Sequence, residues 1–235
     1  MTNKKKANYI SCIVAILHAF VSTYIAFIGI FYFCDREGAN LFNDQECIRN
    51  PKNYHQFAAM ITISYLVFDF SLQLFLIRDY STLSIQTYIH HIFGTLGFYL
   101  ALIENTVSLT AAIFNQATEI STGFLNLRQL FFFHKMKETV YFRINSYIFA
   151  ATFILGRMPI QLICTYNVFP WIVEKIQSMG KTDVYYNSMI LFMVFSQIVG
   201  LILNFYWSNL ILAGLVRTIK GDNKTKTLDE TDKED

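Results

Sequence analysis

Residues 88–128 read YIHHIFGTLGFYLALIENTVSLTAAIFNQATEISTGFLNLR, and this stretch decides the fold of the chain. It holds two long apolar segments that nevertheless contain polar and ionisable side chains: His90, His91, Asn115, Gln116, Glu119, Asn126 and Arg128. Such groups are costly in hydrocarbon, so in a membrane helix they usually face a protein interior or a wet cavity. The stretch therefore predicts two membrane-spanning helices that carry part of a functional site.

The composition of the whole chain indicates the same class of protein. Of its 235 residues, 54% are hydrophobic and only 15% are charged, which is typical of a multi-pass membrane protein. The net charge of +2 is too small to favour nucleic acid as a partner. We therefore predict an all-α, polytopic membrane protein that does not bind nucleic acid.

Apolar runs long enough to cross a hydrocarbon core of roughly 30 Å predict six transmembrane helices. They lie at about 9–33, 57–77, 84–103, 106–127, 144–168 and 187–214. With a cytosolic N terminus, 13 of the 19 Lys and Arg residues fall on the cytosolic side and 5 on the outer side, with Arg157 inside a span. The positive-inside rule then predicts that both termini are cytosolic. The domains predicted are a basic N-terminal tail at 1–8, a membrane domain at 9–216 and a charged, disordered tail at 217–235.

Polar residues inside the predicted spans follow helical faces. The fourth span has a continuous stripe at i, i+4, i+7 and i+11, formed by Asn115, Glu119, Thr122 and Asn126. The other spans contribute Asp69, then His91 and Thr95, then Arg157 and Gln161, and finally Asn204. Counted by the helical rise, these groups converge on one layer, slightly cytosolic of the midplane. This convergence predicts a polar chamber inside the bundle, with hydrogen bonding between helices as the structural alternative for the uncharged residues.

The ionisable groups allow two more specific predictions, one on the partner of Arg157 and one on the orientation of the adjacent histidines. Arg157 is expected to pair with Asp69 or Glu119, because an unpaired buried charge costs far more than a paired one. His90 and His91 are neighbours on a helix and point about 100° apart, so only one can face the chamber. We predict that this residue is His91, because the polar stripe of the third span continues from it.

The cysteines bear on two features, a possible disulfide in the first loop and a possible metal site. Cys34 and Cys47 flank the first loop on the predicted outer side, where either a disulfide or two free thiols would fit. No clustered Cys and His pattern occurs, so the sequence predicts no metal site.

Several motifs, taken in order, resemble the TLC-domain family, to which ceramide synthases belong. They are a loop with Cys47 and Asn50-Pro51, a span with Asp69, then IHHIFGTLGF, ATEISTGFLNLRQLF, ILGRMPIQL and LNFYWSNLI with Trp207. The resemblance covers about residues 9–216 and implies a six-helix bundle or barrel that admits lipid. It also implies the endoplasmic reticulum or another endomembrane, and leaves a mitochondrial membrane open.

The resemblance to the synthases themselves is incomplete. In ceramide synthases a pair of histidines and a following HDxxD pattern resemble the acyl-transfer machinery, and His90 and His91 match the pair. The second pattern is missing from residues 117–121 (ATEIS), where Glu119 is displaced, and Asn204 stands where those enzymes carry a histidine. The sequence is more similar to the non-synthase branches, whose ExSTxFxNxR pattern matches residues 119–128.

The leading hypothesis is a protein that binds lipid or acyl chains in the chamber and influences membrane lipid composition and homeostasis. The residues expected to line the chamber are Asp69, Thr95, Asn115, Thr122, Asn126, Arg128, Arg157, Gln161, Asn204 and Trp207. Membrane lipids are then the expected partners, and no bound cofactor is predicted.

Two alternatives stay open. An N-acyltransferase of ceramide-synthase type would use acyl-CoA as co-substrate and a sphingoid base as acceptor, so that its product would be a sphingolipid. Its catalytic residues would be His91, His90 and Glu119, since acyl transfer needs a base and a group that stabilises the charged imidazole. The second alternative is a structural or accessory subunit, present as a homo-oligomer or within a larger membrane complex.

Overall fold

The computed structural model describes residues 2–179 and 183–219, and this part of the chain is all-helical, without strands. Its helices are α1 (Asn3–Tyr32), α2 (Gln45–Arg49), α3 (Asn53–Leu72), α4 (Thr82–Glu104), α5 (Val107–Ala117), α6 (Ile120–Phe133), α7 (Val140–Ala151), α8 (Met158–Ser178) and α9 (Val184–Ile219). The predicted fold class, an all-α polytopic membrane protein, is thereby confirmed. Most of the predicted disordered tail, from residue 220 onward, lies outside the described residues.

Four helical segments are long and apolar enough to cross a membrane. They are Asn3–Tyr32, Asn53–Ile77, Val140–Ser178 and Val184–Arg217. Large apolar side chains stay exposed on the outside of the bundle, such as Leu155 at 75% and Tyr166 at 81%. An apolar exterior of this kind is stable only against lipid or another apolar surface.

Two of these long segments contain a wider, π-helical turn. Residues Gln73–Ile77 form one turn at the end of α3, and residues Thr152–Arg157 form the other between α7 and α8. The second turn lies directly before Pro159, which has no N–H to bond to the preceding turn and whose ring crowds it. The distortion of the helix near Arg157 takes the form of an added residue in the turn.

The predicted fourth span, 106–127, is not one helix, which corrects that expectation. It is divided into α5 and α6 at Thr118 and Glu119. The Thr118 hydroxyl donates to the carbonyl oxygen of Asn115 at 2.6 Å, and the Glu119 N–H bonds to the carbonyl of Gln116, only three residues back. The tighter turn ends α5, because Thr and Ser side chains offer the backbone partners outside the α-helical pattern.

The first loop closes one end of the bundle. Cys34 and Cys47 form a disulfide with a Cα–Cα distance of 5.6 Å. Asp44 caps α2 by accepting from the N–H groups of Glu46 and Cys47, and it also pairs with Arg36. The hydrogen bond from Arg36, together with those N–H groups, holds the pKa of the Asp44 carboxyl below its usual value. The loop is thus a small ordered cap on the bundle.

Candidate functional site

A cavity of about 160 Å³ lies inside the bundle, between α4, α5, α8 and α9. Its wall includes residues from 90 to 101 on α4, from 161 to 172 on α8 and from 193 to 204 on α9. Each range covers eleven helical steps, so the cavity is about 16 Å long at 1.5 Å per residue. Polar groups meet at the end marked by 90, 161 and 204, whereas the opposite end is mostly apolar, with side chains such as Val168 and Trp171.

Arg157 forms the centre of the polar end. It is 4% exposed, and its Nη2 lies 3.1 Å from Glu119 Oε1. Its Nε and Nη2 both donate to the carbonyl oxygen of Thr118, at 3.3 and 3.2 Å, and Nη2 also donates to Thr122 Oγ1 at 2.9 Å. The guanidinium therefore neutralises Glu119 and satisfies the carbonyl that the break after α5 leaves without a helical partner.

Amide side chains connect the helices around this ion pair. Arg157 Nη1 lies 3.5 Å from Asn204 Oδ1, and Asn204 Nδ2 donates to Gln161 Oε1. About two turns further along the cavity, Asn115 Nδ2 donates to Gln197 Oε1 at 3.0 Å. These bonds tie α5, α8 and α9 together inside the bundle.

The two histidines face different surroundings, and the predicted orientation is wrong. His90 lines the cavity, with its ring 5.8 Å from that of Trp207 in an edge-to-face arrangement. His91 is buried on another side of α4, where its Nε2 lies 3.7 Å from Asp69 Oδ2. The buried carboxylate attracts the imidazole that can reach it, which leaves the neighbouring His90 at the cavity wall.

Asp69 belongs to a separate polar cluster between α1, α3 and α4, and it does not line the cavity as predicted. Its carboxylate accepts from the hydroxyl of Ser11 and the amide of Gln73, both at 2.5 Å, besides facing His91. Of the two partners expected for Arg157, the structure therefore selects Glu119. Asp69 is satisfied by uncharged donors and a histidine instead.

Other predicted lining residues also lie away from the cavity wall: Thr95, Thr122, Asn126, Arg128 and Trp207. Thr122 reaches the site only through Arg157, and Asn126 Nδ2 donates to the backbone oxygen of Thr122 at 2.9 Å. The Arg128 guanidinium lies over the rings of Phe132 and Phe142, 5.1 Å from each centroid. The predicted stripe required an uninterrupted helix, and the break at Thr118 and Glu119 divides it between α5 and α6. Asn115, Glu119, Arg157, Gln161 and Asn204 do line the cavity, together with His90.

The lining residues that the sequence analysis did not place at the chamber wall include His18, Gln116 and Gln197, although Gln116 was noted as a polar group within an apolar run. His18 stacks on Tyr65 with a centroid distance of 3.9 Å, and Gln116 Nε2 donates to the carbonyl oxygen of Ala58 at 3.1 Å. Their signal was available, because each is a polar residue in the middle of an apolar run. Within residues 2–179 and 183–219, no three His, Cys, Asp or Glu side chains come together as metal ligands would.

An apolar exterior, long helices and an internal cavity with one polar end define a polytopic helical membrane protein with a candidate ligand site. The family model of the TLC domain matches residues 8–213. The chain therefore belongs to the TLC-domain family, which confirms the resemblance. No curated protein and no solved structure matches the chain. Its proximity to the non-synthase branches stays a prediction.

Proposed function

We propose that this protein binds the hydrocarbon chain of a membrane lipid in the cavity and thereby influences the lipid composition of an endomembrane. The observation that carries the proposal is the shape and polarity of the cavity, about 16 Å long with one polar end. An apolar chain would lie along Val168 and Trp171, with its polar head towards Arg157. Binding sites for small molecules are mostly apolar with a few polar groups that fix orientation, as this one is.

The endoplasmic reticulum is the membrane we propose, with both termini in the cytosol. Support comes from the disulfide between Cys34 and Cys47, which follows α1, while the lysines at 4–6 precede most of that helix. The two features are thus at opposite ends of a 30-residue helix. A disulfide persists in an oxidising lumen, and lysines favour the cytosolic side.

A second candidate function is N-acyl transfer from acyl-CoA to a sphingoid base, and the position of His90 favours it. In this reaction the amine nitrogen attacks the thioester carbonyl, a base accepts the amine proton, and the CoA thiolate leaves as the amide forms. Of the adjacent histidines, His90 lines the cavity and can be that base, whereas His91 faces Asp69. The other lining histidine, His18, stacks on Tyr65 and lies 3.4 Å from Thr62 Oγ1. Lipid binding remains the leading proposal because residues 117–121 lack the second synthase motif.

Native mass spectrometry of the protein purified in a mild detergent, followed by lipid extraction, tests the proposal. Gly97 lines the cavity, and a Cβ there would meet only Ser196 Cβ at an ordinary 3.7 Å. Gly97→Leu should fill the cavity and abolish lipid retention, while Gly97→Ala, the matched control, should retain lipid. Equal retention by both variants, or no lipid on the wild-type protein, would contradict the proposal.

The same preparation separates the alternatives. Incubation with acyl-CoA and a long-chain base should yield no amide if the protein only binds lipid. An amide product that is formed by the wild type and lost in His90→Gln would support acyl transfer instead. A protein partner retained at fixed stoichiometry, without lipid, would support the role of an accessory subunit.

A further inference from the structure

We infer that the site selects single-chain lipids whose head is uncharged and can both donate and accept a hydrogen bond. A monoacylglycerol or a long-chain alcohol fits this description, whereas the carboxylate or primary amine with the same chain does not. This inference rests on the proposed function and specifies the ligand class of that cavity.

The first argument is the balance of charge at the polar end. Arg157 and Glu119 are the charged side chains of the cavity wall, and they pair with each other. The guanidinium is also engaged by the carbonyl of Thr118 and by Thr122. A bound carboxylate would place two anions against one cation, and a bound ammonium would leave two cations against one anion. Either head would bring an uncompensated charge into a site that is now neutral, which is costly in a medium of low polarity.

The second argument comes from two amide groups whose bonding capacity is only half used. Gln116 is completely buried, and its Nε2 is held by the carbonyl of Ala58, while its Oε1 has no partner. Gln197 Oε1 accepts from Asn115, while its Nε2 is buried and has no partner. Both residues line the cavity. His18, which also lines the cavity, has an unpartnered Nδ1 as well. The two amides therefore offer one free acceptor and one free donor, and buried polar groups are normally hydrogen-bonded.

The two groups are linked through one residue of the cavity wall. Gln197 bonds to Asn115, which is the chain neighbour of Gln116. A hydroxyl group can donate to the free oxygen of Gln116 or accept from the free nitrogen of Gln197, so it suits either group. An ionised carboxylate can only accept and an ammonium can only donate, so each would leave one amide atom unsatisfied. Charge balance and hydrogen bonding thus favour the same head group.

The test compares four ligands with one saturated chain, namely the alcohol, the monoacylglycerol, the carboxylate and the primary amine. Each is titrated into delipidated full-length protein in an uncharged detergent, at a pH where the acid and the amine are ionised, and binding is followed by native mass spectrometry. We expect the alcohol and the monoacylglycerol to bind at least about tenfold more tightly than the two charged ligands. Equal affinities, or tightest binding of a charged ligand, would overturn the inference but not the proposed function. Binding of none of the four would overturn both.

A variant that changes the charge of the site tests the inference in a second way. If Glu119 only stabilised the fold, its replacement would not change the order of ligand affinities. Glu119→Gln keeps an oxygen for Arg157 but removes the negative charge, so the carboxylate should gain at least about tenfold relative to the alcohol. Gln197→Met removes the free donor, and it should reduce the preference for the alcohol without abolishing binding of the chain. An unchanged order of affinities in folded Glu119→Gln would show that charge balance does not select the ligand.

Discussion

Arg157→Met should lower the free energy of unfolding, and the contacts of Arg157 indicate by how much. The variant leaves Glu119 buried without its partner at 3.1 Å and leaves the Thr118 carbonyl without two donors, at 3.2 and 3.3 Å. Removing one member of a buried ion pair costs about 3–5 kcal/mol, and we expect about 3 kcal/mol because the Glu119 side chain is still 16% exposed. This corresponds to a roughly 100-fold fall in the folding equilibrium constant.

The free energy of unfolding in lipid bicelles, measured by steric trapping, provides the assay. Arg217→Met is the matched control, because Arg217 is exposed near the end of α9, and its cost should stay within about 0.5 kcal/mol. Adding Glu119→Leu to Arg157→Met should recover about half of the loss, since no unpaired charge then remains and the Thr118 carbonyl keeps only the Ser121 hydroxyl as a donor. A loss below about 0.5 kcal/mol for Arg157→Met, or additive losses in the double variant, would refute the reasoning.

Three further predictions concern the ends and the packing of the bundle. Cys34→Ser removes the disulfide, whose two cysteines are 13 residues apart, and should lower the free energy of unfolding by about 2–3 kcal/mol. The wild-type protein in reductant should lose the same amount, and an unchanged stability of the variant would contradict the prediction. The pKa of Asp44 is held below 3.8 by Arg36, so its stabilising contribution is present above that pH and is lost as the pH falls through the lower, folded value. Thermal unfolding against pH should show this loss in wild type and not in Asp44→Asn, and parallel curves would contradict it. A Cβ at Gly123 would lie 3.2 Å from a side chain of α1, so Gly123→Leu should cost about 1–3 kcal/mol in the same unfolding assay, and an unchanged stability would argue against close packing there.

Composition and helical periodicity were sufficient to predict the membrane fold and several of the polar residues that meet inside the bundle. Arg157, Gln161 and Asn204 were predicted to share one chamber because each is a polar residue inside an apolar span. The structure brings these three into contact by hydrogen bonds across two helices. The pattern within a single helix indicates which of its polar residues face the interior of the bundle. This is so because each polar group in an apolar span is costly to expose to lipid, whichever helix it belongs to.

What the sequence did not reveal depends on contacts between distant segments. The break after α5 has neither Gly nor Pro to mark it, and it is stabilised by Arg157, a residue 39 positions away from Thr118. The orientation of the adjacent histidines also depends on a partner from another helix, since Asp69 on α3 holds His91. Periodicity cannot choose between two neighbours that point about 100° apart.

The break has a consequence for how the protein is made. α5 has 11 residues and is about 16 Å long, roughly half of the hydrocarbon thickness that a spanning helix must cross. When the ribosome has delivered α5 and α6 to the membrane, Arg157 has not yet been inserted. Glu119 then has no cationic partner, and the Thr118 carbonyl has only the Ser121 hydroxyl as a donor. Because the partner of an earlier segment comes from a later one, we expect α5 and α6 to become stable in the membrane only after Arg157 has been inserted.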